Sequence, residues 1–389
     1  MTSNTNILIS GAGIAGLTLA YWLQKFGFSP TIIENRPNLD HEGYMIDFYG
    51  SGFDVAEKMG LTESLRARHY DIPNLAFVDS QGKPQASMNI EEFRKILDYR
   101  HFNFMRGDLE SVLYKAVKDT IPIHFQTSIQ QINPQPDTVQ VEFSDGKTQN
   151  YDLVIGADGI HSNVRNLLWG HGNLDEHFLG FYVACGVIEN FLDAPDIFFG
   201  HFEPGTQVSV YAIRDNQLAT FFAFKMEQQG IKERQQQFDA LKKAFGKQKW
   251  IVPKLVDATI RSPYFYFDAV AQIKLTPWYK NRVALVGDAC QCLTLLAGQG
   301  ASMAMAGAYL LADELQKANG DYQIAFPAYQ DKLKPEIAKR QIEAQKLAGS
   351  FVPKNQFSIW VMYTFLKMAF LPGFRSIFKR QIGAQSIIH

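Results

Sequence analysis

The sequence is short of cysteine. Its 389 residues hold three, Cys185, Cys290 and Cys292, with no CxxC pair and no ladder of spaced cysteines. That pattern excludes a disulfide framework and fits a reducing, cytoplasmic setting. Metal-ligand spacing is missing as well. Nine histidines are scattered without an HxH or HExxH pattern, so no metal site is expected. An excess of one charge sign is also lacking: 38 Lys and Arg against 39 Asp and Glu leave a formal net charge of −1. Without a broad basic field, a nucleic-acid partner is not expected. The N-terminal apolar stretch is brief and stops at glycines, so it reads as a buried strand and not as a signal peptide. No repeat and no low-complexity tract stands out.

The composition that remains is that of a globular protein. Apolar residues make up 46%, enough for a sizeable interior, and the length suggests about two domains. Phe and Tyr are plentiful, which suits flat apolar pockets and well-filled cores equally. Asn6–Ser10 reads as a strand, Ile14–Gly27 as a helix and Thr31–Glu34 as a second strand, a βαβ start with short connections. Gly107–Lys118 reads as a helix with Asp108 near its positive end. Val139–Phe143, a turn at Ser144–Lys147 and Tyr151–Ile155 read as a hairpin returning to a buried strand.

The pattern then changes. Phe178–Ile188, Ile197–Phe202, Gln207–Ile213 and Gln217–Phe224 are short, aromatic and β-rich, as expected of an antiparallel sheet inserted into an α/β unit. Lys232–Phe245 reads as a polar helix. Arg282–Val286 resumes the parallel-strand pattern, and Ala301–Leu315 follows as a helix of small residues. After about Gly349 the chain turns helical, apolar and basic.

Three glycine-and-acid motifs carry the chemistry. The first, Gly11-Ala-Gly13-Ile14-Ala15-Gly16, follows a strand and opens a helix. Gly11 permits the tight turn, Gly13 the approach of a pyrophosphate, and Gly16 close helix–strand packing. Glu34 ends the second strand at the spacing of an acid that binds adenosine ribose hydroxyls, with Asn35 beside it. This motif alone does not separate NAD from FAD. The second, Gly156-Ala-Asp158-Gly159-Ile-His-Ser162, ends a buried strand and places Ser162 as a helix N-cap. By itself it is equally well read as strand–turn–helix punctuation. The third decides for FAD. Gly287-Asp288 ends a strand where an acid can bind ribitol hydroxyls, and Gly298-Gln299-Gly300-Ala301 then opens a helix. The helix dipole and backbone N–H groups there suit the anionic edge of a reduced flavin.

GAGIAG, GADGIHSNVR and GDACQCLTLLAGQG resemble the three signatures of the class A flavoprotein monooxygenases, the para-hydroxybenzoate hydroxylase type. The resemblance runs from the N-terminus to about residue 345. YWLQKFGFSP (21–30), GYMIDFYG (43–50), RGDLE (106–110) and Phe265–Trp278 are similar to the tetracycline-inactivating branch and its relatives. Gln291 and Leu293-Thr294-Leu295-Leu296 depart from the pattern, standing where many relatives hold His and prolines. The resemblance implies Asp47 and Arg106 near the flavin. It also implies an α/β fold: a discontinuous Rossmann-like FAD-binding domain (1–72, 101–175 and 276–348), an inserted antiparallel β-sheet substrate domain (73–100 and 176–275) and C-terminal helices (349–389).

The function so implied is an FAD-dependent monooxygenase. NAD(P)H is a transient co-substrate, since no second GxGxxG exists, and O2 supplies one oxygen atom to an aromatic or polyketide-like, even tetracycline-like, small molecule. No dedicated catalytic acid or base is expected. Cys290 and Cys292 read as packing residues. Tyr182, Tyr211, Arg214, Phe221 and Phe222 are expected toward the flavin, although strand alternation allows only every second residue to face it. The stretch Phe357–Arg380 is too short and charged to span a bilayer; packing against the two domains is favoured over membrane-surface contact. Two rivals stay open: another FAD enzyme such as a reductase or halogenase, whose WxWxIP-type signature is absent, and a non-catalytic flavin-binding protein.

Overall fold

A computed structural model describes residues 5–39, 43–170, 176–192, 197–294, 298–368 and 386–388. The chain opens with β1 (Asn6–Ser10), α1 (Ile14–Lys25) and β2 (Ser29–Ile33), and β1 and β2 pair in parallel. Ile7–Ser10 are all buried, as in a strand covered on both faces. β3 (Met45–Tyr49), α2 (Ser51–Lys58) and α3 (Thr62–Arg66) follow, then β4 (Asn74–Val78), β5 (Pro84–Asn89) and α4 (Ile90–Ile96). β6 (His101–Met105) runs into α5 (Arg106–Val117), then β7 (Ile123–His124), β8 (Ile129–Pro134), β9 (Val139–Phe143) and β10 (Thr148–Tyr151). β11 (Leu153–Gly156) and α6 (Asn163–Trp169) carry the second motif. The expected hairpin across Val139–Ile155 is two units. Thr148–Tyr151 returns along β9, while Leu153–Gly156 leaves to lie parallel to β1.

The aromatic middle forms β12 (Glu176–Glu189), β13 (Ile197–Glu203), β14 (Thr206–Ile213) and β15 (Gln217–Lys225), then α7 (Arg234–Phe245), α8 (Val252–Arg261) and β16 (Tyr266–Ile273). The chain ends with β17 (Tyr279–Lys280), β18 (Val283–Leu285), α9 (Asp288–Gln291), α10 (Gly300–Lys317), α11 (Tyr322–Phe351) and α12 (Gln356–Met368).

Two large sheets organise these elements. The first has the order β17-β18-β11-β1-β2-β7 and is parallel except at β17. Because β18, β11 and β1 are adjacent and parallel, the three motifs emerge side by side from one edge, where open α/β sheets bind ligands. The second has the order β16-β12-β15-β14-β13-β4-β5. It is antiparallel apart from β13 and β4, which pair in parallel, so the expected all-antiparallel sheet is in fact mixed. The reason is topological: β4 and β5 arrive from an earlier segment of the chain, not through a hairpin from β13. Alternation divides the faces of this sheet. Val208, Val210, Phe222 and Phe224 are buried in one hydrophobic cluster with Leu241, Phe245 and Leu255 of α7 and α8. The opposite face turns toward the ribbon of β3 and β6, with Met45 N–H donating to Tyr211 Oη at 2.7 Å.

α11 runs straight through the boundary expected at residue 349. α12 buries Ile359 against Phe77, Ala86 and Phe202, with Met362, Tyr363 and Leu366 beside it. Tyr363 Oη donates to the Val78 carbonyl at 3.2 Å. Phe357–Met368 therefore dock one face on the second sheet, while the rest of the stretch to Arg380 lies outside the described residues. No described helix is long and apolar enough to cross a membrane.

Candidate active site

The glycines of the first motif separate by cause. Gly11 has φ +112°, and a Cβ there would lie 2.5 Å from the Ala157 carbonyl oxygen. A Cβ on Gly16 would lie 2.0 Å from the Gly11 carbonyl oxygen. The protein's own packing demands these two. Gly13 has an ordinary φ of −79°, and a Cβ there would meet nothing nearer than Glu110 Oε1 at 3.6 Å. Its smoothness serves a ligand, not a neighbour in the chain. Gly300 is alike, with nothing within 4 Å. Gly13 and Gln299 cap α1 and α10 without any side-chain cap bond. Two helix starts, with their partial positive charge, therefore border one cleft.

Of the expected residues, Gly13, Ile14, Ala15, Arg106, Asp288, Gly298, Gly300 and Ala301 line that cleft. Arg106 Nη2 lies 2.9 Å from Glu110 Oε1, one helical turn on, and the carboxylate keeps the guanidinium firmly protonated. Asp288 sits in the cleft after Gly287, which takes φ +66° and admits Ala15 within a distance no side chain would tolerate. Burial raises the Asp288 pKa, and Arg106 works against that rise.

The other expected residues stand behind the cleft or apart from it. Glu34 lies beneath the glycine loop: Oε2 accepts Ala12 N–H at 2.8 Å, and Oε1 accepts Arg36 N–H at 2.9 Å. Burial alone would raise its pKa, but the N–H groups of Arg36 and Ala12 and the Arg36 guanidinium outweigh burial and hold it low. Asn35 is exposed beside it. Asp158 turns into the start of α6, accepting from Ser162 Oγ at 2.5 Å and Val164 N–H at 3.0 Å. Arg165 of the same motif donates to the carbonyls of Ala289 at 2.8 Å and Ile160 at 2.6 Å, bracing the third motif from below. The Gln299 carboxamide is held by Arg340.

Asp47, placed near the flavin by resemblance, lines a second cavity of about 380 Å³ and not the cleft. There His101 Nε2 at 2.9 Å and Asn103 Nδ2 at 2.5 Å both donate to its Oδ1. Burial pushes the Asp47 pKa up, yet these two partners bring it below its ordinary value. Tyr44, Ile46 and Gly298 line both spaces, which therefore meet. Tyr44 is ringed by Tyr266 at 6.1 Å and Phe221 at 6.5 Å between centroids.

The expected aromatic wall is corrected in part. Tyr211 and Phe221 line the second cavity. Tyr182 and Phe222 lie on the other face, in the cluster under α7 and α8. Arg214 sits in the turn after β14, outside both spaces, paired with Asp108 at 3.2 Å and donating to Tyr70 Oη at 2.8 Å. Gln291 is buried and donates to the Met303 carbonyl at 3.3 Å, packed against α10 at Gly307. Leu295 and Leu296 lie outside the described residues. Cys290 and Cys292 are buried, and burial pushes both thiol pKa values up, so neither is a thiolate. Sequence reasoning did not single out Tyr44, Tyr266 or Asp268 in the cleft, or Phe198, Gln207 and Ser209 in the cavity. Tyr44 stood within GYMIDFYG, and Tyr266 and Asp268 within the Phe265–Trp278 stretch; Phe198, Gln207 and Ser209 carry no motif.

The geometry thus offers two helix starts and a fixed guanidinium for a diphosphate, acids for hydroxyl groups, and a connected apolar cavity. Those residues fit FAD. The comparisons agree. Residues 4–321 match the family model for the FAD binding domain. A flavin-dependent monooxygenase of Legionella longbeachae is 35% identical over 370 residues, covering 94% of this chain and 91% of that protein. The crystal structure of tetracycline destructase Tet(55) shares 31% identity with a TM-score of 0.86, over 100% of this chain and 99% of that one. Klebsiella pneumoniae HpxO, solved with FAD and uric acid, shares the fold at 20% identity and a TM-score of 0.81, over 99% and 98% of the two chains. With all three motifs converging on one cleft, the chain belongs to the family of FAD-dependent monooxygenases built on this FAD binding domain.

Proposed function

We propose that the chain uses NAD(P)H and O2 to hydroxylate an aromatic, fused-ring small molecule bound in the second cavity. The observation that carries this reading is the junction: the cofactor cleft and the roughly 380 Å³ cavity share Tyr44, Ile46 and Gly298. A cavity of that size suits a drug-sized ligand, and its walls are mainly apolar and aromatic. Phe198 stacks on Tyr211 at 5.7 Å and 6°, giving a flat surface for ring contact. The similarity to Tet(55), a tetracycline destructase, supports a fused-ring ligand of this kind.

When bound, FAD supplies the electron transfer and oxygen activation that no side chain here provides. The chain's residues hold and shield it. Arg106 and the starts of α1 and α10 would take the diphosphate and the electron-rich ring edge, and Asp288 would take ribityl hydroxyls. Phe198, Tyr211 and Phe221 exclude water beside the substrate. Asp47, held as a carboxylate with Oδ1 occupied by His101 and Asn103, offers Oδ2 to a hydroxyl of the ligand. An acceptor there would draw the proton from a phenol and enrich its ring.

The test is NADH and NADPH oxidation by FAD-loaded protein against phenols, aromatic polyketides and tetracyclines, with mass spectrometry of the product. The expected result is faster oxidation and one added oxygen atom for a fused-ring phenol. The reading fails if no such compound changes either the flavin spectrum or the rate while a small non-aromatic compound does.

A further inference from the structure

β14 carries an unusual alternation. Along Gln207-Val-Ser209-Val-Tyr211, the valines enter the core under α7 and α8, so the polar positions fall on the opposite face. On an edge or a solvated sheet that face would meet water. Here it is buried: Gln207 is 7% exposed and Ser209 3%. Both line the second cavity, among Leu75, Phe77, Phe198 and Phe221. Neither Gln207 Oε1 nor Ser209 Oγ has a hydrogen-bond partner among the described residues, and the same holds for Asn103 Oδ1 on the ribbon strand β6, which lines the same cavity. Buried polar groups are nearly always paired, and an orphan lowers the stability of the fold. Three residues with orphaned oxygens line one cavity, where a bound ligand is the partner that remains.

Their chemistry says which. The carbonyl oxygens of Gln207 and Asn103 only accept, the Ser209 hydroxyl does either, and the Asp47 carboxylate also accepts. Among the described residues, the lining contains no Lys, Arg or His. A ligand edge facing this array must bring donors, and an anionic edge would meet the Asp47 carboxylate with no Lys or Arg in the lining to offset it.

We infer that Gln207 and Ser209 form a specificity rail that selects a planar aromatic ligand whose edge carries neutral hydrogen-bond donors, a hydroxyl or a carboxamide, and rejects the corresponding carboxylate. This inference rests on the assignment of the second cavity to the substrate. The rail costs the ligand-free protein stability and returns it as selectivity, because an analogue without the donors leaves all three acceptors unpaired.

Three naphthalene probes test it by calorimetric titration of the FAD-loaded protein: 3-hydroxy-2-naphthamide, 2-naphthol and 3-hydroxy-2-naphthoate. The amide should bind roughly tenfold more tightly than either of the others. Gln207→Met with Ser209→Ala should erase the preference, so that the amide binds no more tightly than 2-naphthol does to the same variant. The double variant should also melt at the same or a higher temperature, since it removes orphaned groups; a merely structural pair would lower it. Equal binding of amide and carboxylate by the unaltered protein, failure of all three to bind, or a preference that survives the double variant would each overturn the inference. Turnover of fused-ring phenols without probe discrimination sinks this inference alone. Discrimination without turnover sinks only the proposed reaction.

Discussion

The Glu34 carboxylate accepts the backbone N–H of Ala12 at 2.8 Å, so the acid that ends β2 holds the glycine loop that follows β1. The sequence marked Glu34 for ribose hydroxyls. The structure shows it also fastened to the chain, with its second oxygen on Arg36.

This contact sets a pH dependence. Burial opposes ionisation of Glu34, but the N–H groups of Arg36 and Ala12 win, and its pKa lies below the ordinary value of 4.5. A depressed carboxylate contributes stability that is complete above the unfolded pKa and is lost as pH falls through the folded one. FAD retention, followed by release of flavin fluorescence, should therefore hold at neutral pH and fail as pH drops below 4.5. Glu34→Gln should retain less flavin at pH 7 and show a flatter acid limb. An identical acid limb in that variant would assign the loss to another group.

The two glycines of the first motif should fail differently. Gly11→Val forces a branched side chain onto the Ala157 carbonyl at a φ of +112°, so the fold should lose more than about 2 kcal/mol. Gly13→Val has room within the chain and should leave the apoprotein's unfolding free energy within about 1 kcal/mol of the original. Its flavin occupancy, read from the absorbance ratio, should nevertheless fall at least as far. Full occupancy in Gly13→Val would show that the space before Gly13 is not the diphosphate's.

Phe221 and Phe222 are neighbours on β15 with opposite duties. Phe222 is fully buried and packs on Phe245 at 5.0 Å, so Phe222→Ala should cost about 3–5 kcal/mol of stability in denaturant titration. Phe221 lines the cavity and touches Tyr44 and Phe351. Phe221→Ala should keep most of the stability and change the KM of the aromatic substrate instead. Equal destabilisation by both would contradict the face assignment.

The local elements were written in the sequence. Strand β1, its glycine turn and helix α1 follow from a buried apolar run, three glycines at fixed spacing and an acid at the end of the next strand, all within one stretch of chain. The same holds for Ser162, which accepts Arg165 N–H as the expected N-cap. FAD was legible because three such local signals occur in an order that one ligand explains. The cavity was not legible. Its walls are drawn one to four residues at a time from β3, β4, α4, β6, β13, β14, β15 and α11. No one of these segments carries a pattern for it, and Gln207 and Ser209 look like the solvent face of an ordinary strand. Alternation could say that Phe221 and Phe222 lie on opposite faces, but not which face α7 and α8 would cover. Sequence determined what neighbouring residues do to one another along the backbone. Tertiary packing alone decided which strand face became interior, because burial is settled by what arrives from distant parts of the chain.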